Sequence, residues 1–392
     1  MLGSKAGLGQ VRGEGFDPRS ELGLKPKGSA KVVSERIMSV RFLPFVDRTV
    51  VVVGNKIGNL GFWDLDFGEG DGGGIYVYHP HSGPVSGISV HPFSPRKIFT
   101  SSYDGFVRLM DVEKGSFNML TSSDDAFFSI CQWPEDVNSL YIGEGGGMLK
   151  VLDEREGKDS NFWQLHEGRI NTVDFNPENP HLMATSSSDG LACIWDLRSM
   201  KKDKPDVINS VGHGRAVHAA YFSPSGKFLA TTSLDDKVGI ASGTDYGELS
   251  MVSHYNQTGR WLSAFRAIWG WDDSYVFVGN MKRAIDVIST ANNTTTSLDS
   301  PDIMTSIPCR FAAHPYKPGH LAGATSGGKA YNSADEARKK SKETSSRAQG
   351  RSSSDTTEEA KYSTKDGAEA MKDNAEEVFI YRQQQRRHEP SC

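Results

Sequence analysis

Residues 166–198 read HEGRINTVDFNPENPHLMATSSSDGLACIWDLR, and this stretch contains the pattern that decides the fold. A histidine is followed by an alternating apolar run, a turn at Pro177, a second run ending in Ser-Ser-Ser-Asp-Gly, and a third run ending in Trp195-Asp196. Alternation with a period of two, interrupted by proline and glycine turns, predicts short antiparallel strands. The stretch is therefore typical of one small sheet in a repeated array.

The same pattern recurs along the chain at nearly constant intervals. Residues 81–92 and 213–224 repeat the spacing of residues 166–177. At intervals of 42 to 47 residues, the position of the tryptophan is filled by Trp63, Met110, Leu152, Trp195, Ala241 and about Val287. This period is that of the WD40 repeat, and single blades must stack into a closed ring to bury their faces. We therefore predict an all-β, seven-bladed WD40 β-propeller.

The seventh repeat departs from the pattern in its third strand. Its first two strands are predicted at 307–315 and 321–325, but Ser333 stands where a tryptophan is expected. We therefore expect an incomplete last blade and a propeller spanning 31–329. Residues 1–30 are predicted to be flexible. The charged, Ser/Thr-rich residues 330–392 are predicted to be a disordered polar tail, because such a composition cannot offset the entropy of ordering by burial.

Polar residues inside the repeat have a structural interpretation. His166, Ser187, Asp189 and Trp195 occupy the places that form a buried hydrogen-bonded chain in WD40 blades. Such a network specifies the blade, so no catalytic role is expected for the histidine or the aspartate.

Composition argues against several other functions. The 392 residues carry a net charge of −5, and the four cysteines (Cys131, Cys193, Cys309 and Cys392) show no metal-binding or disulfide spacing. Their scatter favours a reducing compartment and no metal site. No apolar run is long enough to span a membrane, and no signal peptide is recognised, so an intracellular soluble protein is expected. No nucleophile motif or phosphate-binding loop is found, and residues 143–147 are interpreted as a blade turn, so we expect neither an enzyme nor a cofactor.

Several blocks resemble a known family. They lie at 36–66, 75–94, 215–233 and, most specifically, at 254–289, which reads HYNQTGRWLSAFRAIWGWDDSYVFVGNMKRAIDVIS. A generic repeat contains neither HYNQTGRW nor GNMKR. The blocks resemble plant members of the WD repeat-containing protein 76 family over about residues 31–329. That family is similar to the small subunit of the UV-damaged-DNA-binding complex, so the resemblance implies a nuclear, DNA-associated propeller in the DNA-damage response.

A DNA site in this chain must be a local patch, because a net charge of −5 and a pI of about 6.1 do not describe a general polyanion binder. Blade-to-blade loops and the turns between second and third strands lie on the same face of a propeller. Cations are predicted there at Arg36, Arg169, Arg215 and Arg260 in the loops, and at Lys56, Lys282 and Arg283 in the turns. A ring of this kind would neutralise phosphates and give salt-sensitive binding.

The loop at 256–261 adds Gln257 and Trp261 to the predicted face. The corresponding loop region of the related damage-binding subunit inserts into distorted DNA, so the resemblance implies that Trp261 stacks on an unstacked base at a lesion. The alternative is that Trp261 packs under the blade edge and that the cations are solvated surface. Arg266 and Arg310 fall on first strands, which line the channel, where they either support the site or are satisfied in the core.

A partner site is predicted on the opposite face, where third strands end. Trp195-Asp196-Leu197-Arg198 matches the WDxR pattern of propellers that dock onto the adaptor of cullin-4 ubiquitin ligases, a damaged-DNA-binding protein 1-like subunit. Asp153 and Arg155 belong to a degenerate copy in the preceding blade. The alternative is that each arginine only pairs with the neighbouring carboxylate.

Two functions therefore remain open. The first is a DNA-binding propeller that also serves as a ligase substrate receptor. The second is a general scaffold for chromatin proteins that does not contact DNA directly.

Overall fold

The computed structural model describes residues 15–67, 73–200, 205–257 and 262–335. Over these residues the chain forms one short helix, Pro18–Glu21 (α1), one 3-10 turn, Leu197–Ser199, and 28 strands that begin with Leu22–Lys31 (β1). The strands pair into seven four-stranded sheets. The predicted seven-bladed WD40 propeller is therefore confirmed.

The first three blades are each built from four consecutive antiparallel strands. Blade 1 contains Ile37–Phe42 (β2), Val50–Asn55 (β3), Leu60–Asp64 (β4) and Ile75–Tyr78 (β5). Blade 2 contains Val85–Val90 (β6), Lys97–Ser102 (β7), Phe106–Asp111 (β8) and Ser116–Ser122 (β9). Blade 3 contains Phe127–Gln132 (β10), Ser139–Glu144 (β11), Met148–Asp153 (β12) and Lys158–Gln164 (β13).

Blades 4 to 6 follow the same order. Blade 4 contains Ile170–Phe175 (β14), Leu182–Ser187 (β15), Leu191–Asp196 (β16) and Val207–Gly212 (β17). Blade 5 contains Val217–Phe222 (β18), Leu229–Ser233 (β19), Lys237–Ser242 (β20) and Glu248–Ser253 (β21). Blade 6 contains Ile268–Trp269 (β22), Tyr275–Gly279 (β23), Ile285–Ser289 (β24) and Thr295–Leu298 (β25).

The last blade is completed by a strand from the other end of the described chain. Pro308–Ala313 (β26), Leu321–Thr325 (β27) and Lys329–Asp335 (β28) form three strands, and β1 pairs antiparallel with β28 as the fourth. The expectation of an incomplete last blade is therefore wrong. The third strand was not predicted because the composition around residue 330 is polar and because its partner β1 is distant in sequence. The burial of Tyr331 becomes visible only in the structure.

The sheet also extends past the predicted limits of the propeller at residues 31 and 329, since β1 begins at Leu22 and β28 ends at Asp335. The remainder of the predicted flexible segment and polar tail, residues 1–14 and 336–392, lies outside the described residues. Neither helical element of the described chain is long and apolar enough to cross a membrane.

The blades stack through separate apolar clusters, and their first strands surround a channel. Val52 and Leu60 of blade 1 pack with Val85 and Ile98 of blade 2, for example. Val40 of blade 1 packs in one cluster with Ala322 and Ala324 of the last blade, which closes the ring. The central cavity is lined by residues from all seven blades, among them Met38, Ser86, Ser129, Asn171, Tyr221, Arg266 and Arg310. Two faces therefore remain for binding, with the channel between them.

Candidate functional site

A buried chain of hydrogen bonds holds blade 4 together. Trp195 Nε1 donates to Thr185 Oγ1 at 2.8 Å, and His166 Nε2 lies 2.7 Å from the same oxygen. His166 Nδ1 lies 2.8 Å from Asp189 Oδ2. This hydrogen-bonded network has the predicted structural role. Thr185 occupies the position expected for Ser187, because the Ser187 hydroxyl faces the turn and donates to Gly168 O at 3.0 Å.

Six predicted DNA-binding cations lie on one face of the ring. Arg36, Arg169 and Arg215 stand in the loops that lead into first strands, and Lys56, Lys282 and Arg283 stand in the turns between second and third strands. The two kinds of segment are joined directly, since the Lys56 N–H donates to the Arg36 carbonyl at 2.9 Å. We call these six residues the rim cations.

Asparagine side chains fix the two turns that carry rim cations. Asn55 Oδ1 accepts the N–H groups of Ile57 and Asn59, and Asn280 Oδ1 accepts those of Lys282 and Ala284. An asparagine that accepts backbone N–H groups in this way stabilises a tight turn. Lys56, Lys282 and Arg283 are consequently presented, exposed, on rigid turns.

Neighbouring polar groups hold two of the cations on this face. Lys56 Nζ lies 3.2 Å from Glu35 Oε2. Arg215 Nη1 donates to Gln257 Oε1 at 2.8 Å, and Gln257 Nε2 donates to Asp236 Oδ2 at 2.9 Å, so two predicted residues are brought into direct contact. Burial alone would raise the pKa of Asp236, but the N–H groups of Gln257 and Asn256 outweigh it and lower that pKa. Asp236 therefore remains an anionic anchor for this loop.

An aromatic pair on the same face was not anticipated. Tyr103, in the turn after β7, and Phe128, on β10, have ring centroids 4.4 Å apart. The Arg169 guanidinium lies 5.3 Å from the centroid of Phe128. The sequence signal is the turn Tyr103-Asp104-Gly105 of blade 2, which has an aromatic residue where blade 4 has Ser188.

Two of the predicted DNA contacts, Arg260 and Trp261, lie outside the described residues. Their contribution to this face stays a prediction.

The predicted partner site contains two copies of one arrangement. Arg198 donates from Nε and Nη2 to the two carboxylate oxygens of Asp196 at 2.9 and 2.7 Å, and Arg155 donates from the same two atoms to Asp153 at 3.0 and 2.5 Å. Hydrogen bonds from Arg155 lower the pKa of Asp153 to about 2. Both arginine side chains are still about three-fifths exposed, at 62% for Arg155 and 61% for Arg198.

One residue of the predicted partner site is corrected. Trp195 is only 2% exposed, and its indole N–H is used within the blade, so it cannot form part of a docking surface. The pattern WDxR combines a structural tryptophan with an exposed Asp-Arg pair. The WDxR pattern alone does not show which of its residues are structural and which are available to a partner.

The described residues contain no group of three or more His, Cys, Asp or Glu side chains that could hold a metal ion. Burial raises the pKa of the free thiols of Cys131 and Cys193 to about 12, which keeps them protonated and unreactive at neutral pH.

Comparisons with known proteins agree with the architecture. The family model described as WD domain, G-beta repeat matches residues 73–111, 157–196 and 206–240. WD repeat-containing protein 76 of Xenopus laevis is 33% identical over 316 residues, which is 78% of this chain and 54% of that protein. DNA damage-binding protein cmr1 of Aspergillus clavatus is 30% identical over 345 residues, covering 76% of this chain and 64% of that protein.

DNA damage-binding protein CMR1 of Coccidioides immitis is 29% identical over 327 residues, covering 72% of this chain and 62% of that protein. The chain thus spans between about half and two thirds of the length of these curated relatives. The chain contains WD40 repeats, and the resemblance to the WD repeat-containing protein 76 family that its sequence predicts is confirmed.

Proposed function

We propose that this propeller binds DNA through the rim cations and acts in the DNA-damage response in the nucleus. The observation that carries the proposal is the placement of six cations from blades 1, 4, 5 and 6 on one face. Relatives that are named DNA damage-binding proteins favour DNA over another polyanion as the ligand. Contacts to phosphate position a protein on a duplex without reading sequence, so the predicted binding is largely sequence-independent.

Local charge and aromatic surface both support this proposal. Lys282 and Arg283 are exposed side by side, and their side chains make no ion pair with any other described residue, which leaves them available to phosphates. The tilted Tyr103–Phe128 pair with Arg169 beside it offers aromatic surface on which an unstacked base can stack. This surface gives the face a means of favouring distorted over regular duplex, which is also the role that the resemblance implies for Trp261.

The test compares two triple variants with the same change in charge. The rim variant replaces Arg215, Lys282 and Arg283 by alanine, and the control replaces Arg96, Lys114 and Lys227, which are exposed in the loops of the opposite face. Affinity for duplex DNA is measured over a salt series. Each lost phosphate contact lowers the slope of log affinity against log salt by about 0.9. We expect a reduced slope for the rim variant and an unchanged slope for the control.

Equal salt slopes for both variants and the wild type would contradict the proposal. Preference for damage is tested separately with Trp261→Ala on undamaged and UV-irradiated duplexes. Base stacking is worth about 1–3 kcal/mol per base, so affinity for the irradiated duplex should fall by about fivefold or more while that for the undamaged duplex is kept. Loss of both affinities to the same extent would assign Trp261 to the fold instead.

The second candidate function is a chromatin scaffold without direct DNA contact. Arg215 and Lys56 each engage a neighbouring side chain, as expected for an ordinary polar surface. This alternative expects the purified propeller to ignore naked DNA and to retain chromatin proteins. The salt series distinguishes it from the first.

We also propose that the Asp153–Arg155 and Asp196–Arg198 pairs dock onto a cullin-4 ligase adaptor. Two identical, exposed Asp-Arg forks in adjacent blades provide a repeated surface, and a paired guanidinium keeps its planar outer edge for a partner pocket. Arg155→Ala combined with Arg198→Ala should abolish capture of a purified damaged-DNA-binding protein 1-like adaptor. Unchanged capture would leave the arginines with only their intrachain pairing.

A further inference from the structure

One position on the channel wall differs between the blades. Each of six first strands has a register irregularity near its start, and the next paired residue is small in five of them: Ser39, Gly87, Ser129, Thr172 and Ala219. The last blade has Arg310 there. Blade 6 has Arg266 at the matching place, two residues before Ile268. Two adjacent blades therefore put arginines where the other five leave space.

Both arginines line the channel and bind only uncharged groups. Arg310 Nε donates to Met38 O at 2.9 Å and its Nη1 to Cys309 O at 3.2 Å. Arg266 Nη2 donates to Asn171 O at 3.0 Å. Within the described chain neither guanidinium has a carboxylate partner, although Arg310 is only 6% exposed. Arg310 is a buried and Arg266 a half-buried positive charge, and charges without an anion in such places are costly in a folded protein.

Unused hydrogen-bonding atoms surround the same place. Arg266 Nε and His218 Nε2 are buried and have no partner in the described residues, and His218 is only 8% exposed. Arg36 Nε, at the mouth of the channel, is also buried without a partner. Buried polar atoms are nearly always satisfied, so these three atoms, one of which belongs to Arg266 itself, point to an absent acceptor.

The electrostatics agree with the geometry. Burial and the charge of Arg266 lower the pKa of Arg310 to about 9. Burial and the charges of Arg266, Arg310 and Arg169 lower the pKa of His218 to about 3. Asp174, on the first strand of blade 4, accepts a hydrogen bond from the Phe222 N–H at 2.8 Å, and burial raises its pKa to about 7. It does not neutralise the arginine pair.

We propose that the channel binds a phosphate-class oxyanion at Arg266 and Arg310, with His218 as a third donor. Two planar guanidinium groups and an imidazole N–H supply the multiple donors that a tetrahedral oxyanion accepts. Four of the five small residues at the equivalent positions, Ser39, Gly87, Ser129 and Thr172, also line the cavity and leave space for it. The site lies inside the rim and does not depend on the proposed binding of duplex DNA.

The test titrates the full chain with inorganic phosphate near neutral pH, at ionic strength held constant with sodium chloride. The variant Arg266→Ser with Arg310→Ser installs the residue that blades 1 and 3 already have. Arg41→Ser is the control, because Arg41 also lines the channel but lies at the level of Asp174. We expect saturable phosphate binding by the wild type and Arg41→Ser, and a loss of about tenfold or more in affinity in the double variant.

Equal phosphate affinity in all three proteins, or no saturable binding by the wild type, would overturn the proposal. If the double serine variant does not fold, phosphate binding is measured instead with Arg266→Ser alone and with the double variant Arg266→Lys with Arg310→Lys. The lysine pair keeps the charge but lacks the fork, so weaker binding is expected, and full wild-type affinity in both of these variants would refute the site.

A second arm identifies the source of the oxyanion. A single-stranded oligonucleotide with a 5′-phosphate is compared with the same strand ending in a 5′-hydroxyl. Tighter binding of the phosphorylated strand that depends on Arg266 and Arg310 assigns a nucleic-acid end to the site, and equal binding assigns a small free phosphate. Loss of duplex binding in the rim variant with intact phosphate binding separates this site from the proposed function.

Discussion

Blade 4 and the last blade form the same four-stranded sheet but are held together differently. In blade 4 all four strands are consecutive, and Thr185 and Trp195 join the hydrogen-bonded chain that starts at His166. The register places Gly323 and Ser333 at these two positions in the last blade, so the chain cannot form there. One blade is specified by a local polar network and the other by long-range pairing.

Apolar packing replaces the network in the last blade. Tyr331 is fully buried with Phe311 and Leu321, in a cluster that also includes Trp271 of blade 6. Phe16, which precedes α1, packs edge-on against Trp271 with ring centroids 4.8 Å apart. The segment that supplies the closing strand therefore also contributes to the core.

The largest effect is expected from removing that segment. Deletion of residues 1–31 eliminates β1 and Phe16, leaves β28 as an unpaired edge and opens the ring. We expect the melting temperature to fall by on the order of 10 °C, or cooperative unfolding to be lost, in thermal unfolding followed by circular dichroism.

Deletion of residues 1–14 is the matched control, because it shortens the same end but keeps α1 and β1. Its melting temperature should equal that of the wild type. A protein lacking residues 1–31 that melts like the control would show that the three remaining strands suffice to close the ring.

The contrast also explains what the sequence could predict of the fold. Blade 4 was predictable because every group that defines it lies within one repeat, from His166 to Trp195. The closing strand was not, because β1 reads LGLKPKGSAK and pairs with a partner about 300 residues away. Proline and glycine disfavour a strand, and the register irregularity between Leu24 and Ser29 accommodates them.

The candidate site likewise has a part that could be predicted from the sequence and a part that could not. Rim cations were predictable because their loops have fixed places in each repeat, as Arg36 and Lys56 show. Contacts between blades were not, because they depend on which side chains face each other across the channel or the rim. The Tyr103–Phe128 pair and the carbonyl partners of Arg266 and Arg310 are of this second kind.

The network of blade 4 should respond to loss of a single hydroxyl. Thr185→Val keeps the shape of the side chain but leaves Trp195 Nε1 and His166 Nε2 buried without partners. We expect the free energy of unfolding to fall by about 2–4 kcal/mol, measured by chemical denaturation.

Thr231→Val is the control, because Thr231 binds His213 but blade 5 has Ala241 in place of the tryptophan. Thr231 Oγ1 has one short contact, to His213 Nε2 at 2.9 Å, and one long hydrogen bond, to the Gly239 carbonyl at 3.4 Å, so a loss of only about 1–2 kcal/mol is expected. Equal losses in the two blades would show that the Trp195 hydrogen bond adds nothing to the stability of blade 4.

The smallest effect concerns the turn that follows the first strand in both blades. In blade 4, Asn176 Oδ1 accepts the Glu178 N–H at 2.9 Å. In the last blade, His314 Nδ1 accepts the Tyr316 N–H at 3.1 Å. Each side chain accepts a backbone N–H two residues later in the turn, but only the histidine can take up a proton. Burial, with the nearby Lys317 and His320, lowers the pKa of His314 to about 4.

Acid should therefore weaken the last blade in a way that His314→Asn removes. Because the pKa of His314 is lower folded than unfolded, the unfolded chain binds the extra proton, and the contribution of His314 to stability is full above pH 6.5 and declines as the pH falls towards 4. Between neutral pH and pH 5 the wild type should lose about 2 kcal/mol more than the variant in denaturation experiments. His79→Asn, at an exposed histidine, should follow the wild-type profile. If the two asparagine variants have the same pH dependence, protonation of His314 does not contribute to acid unfolding, and the last blade resists acid as blade 4 does at Asn176.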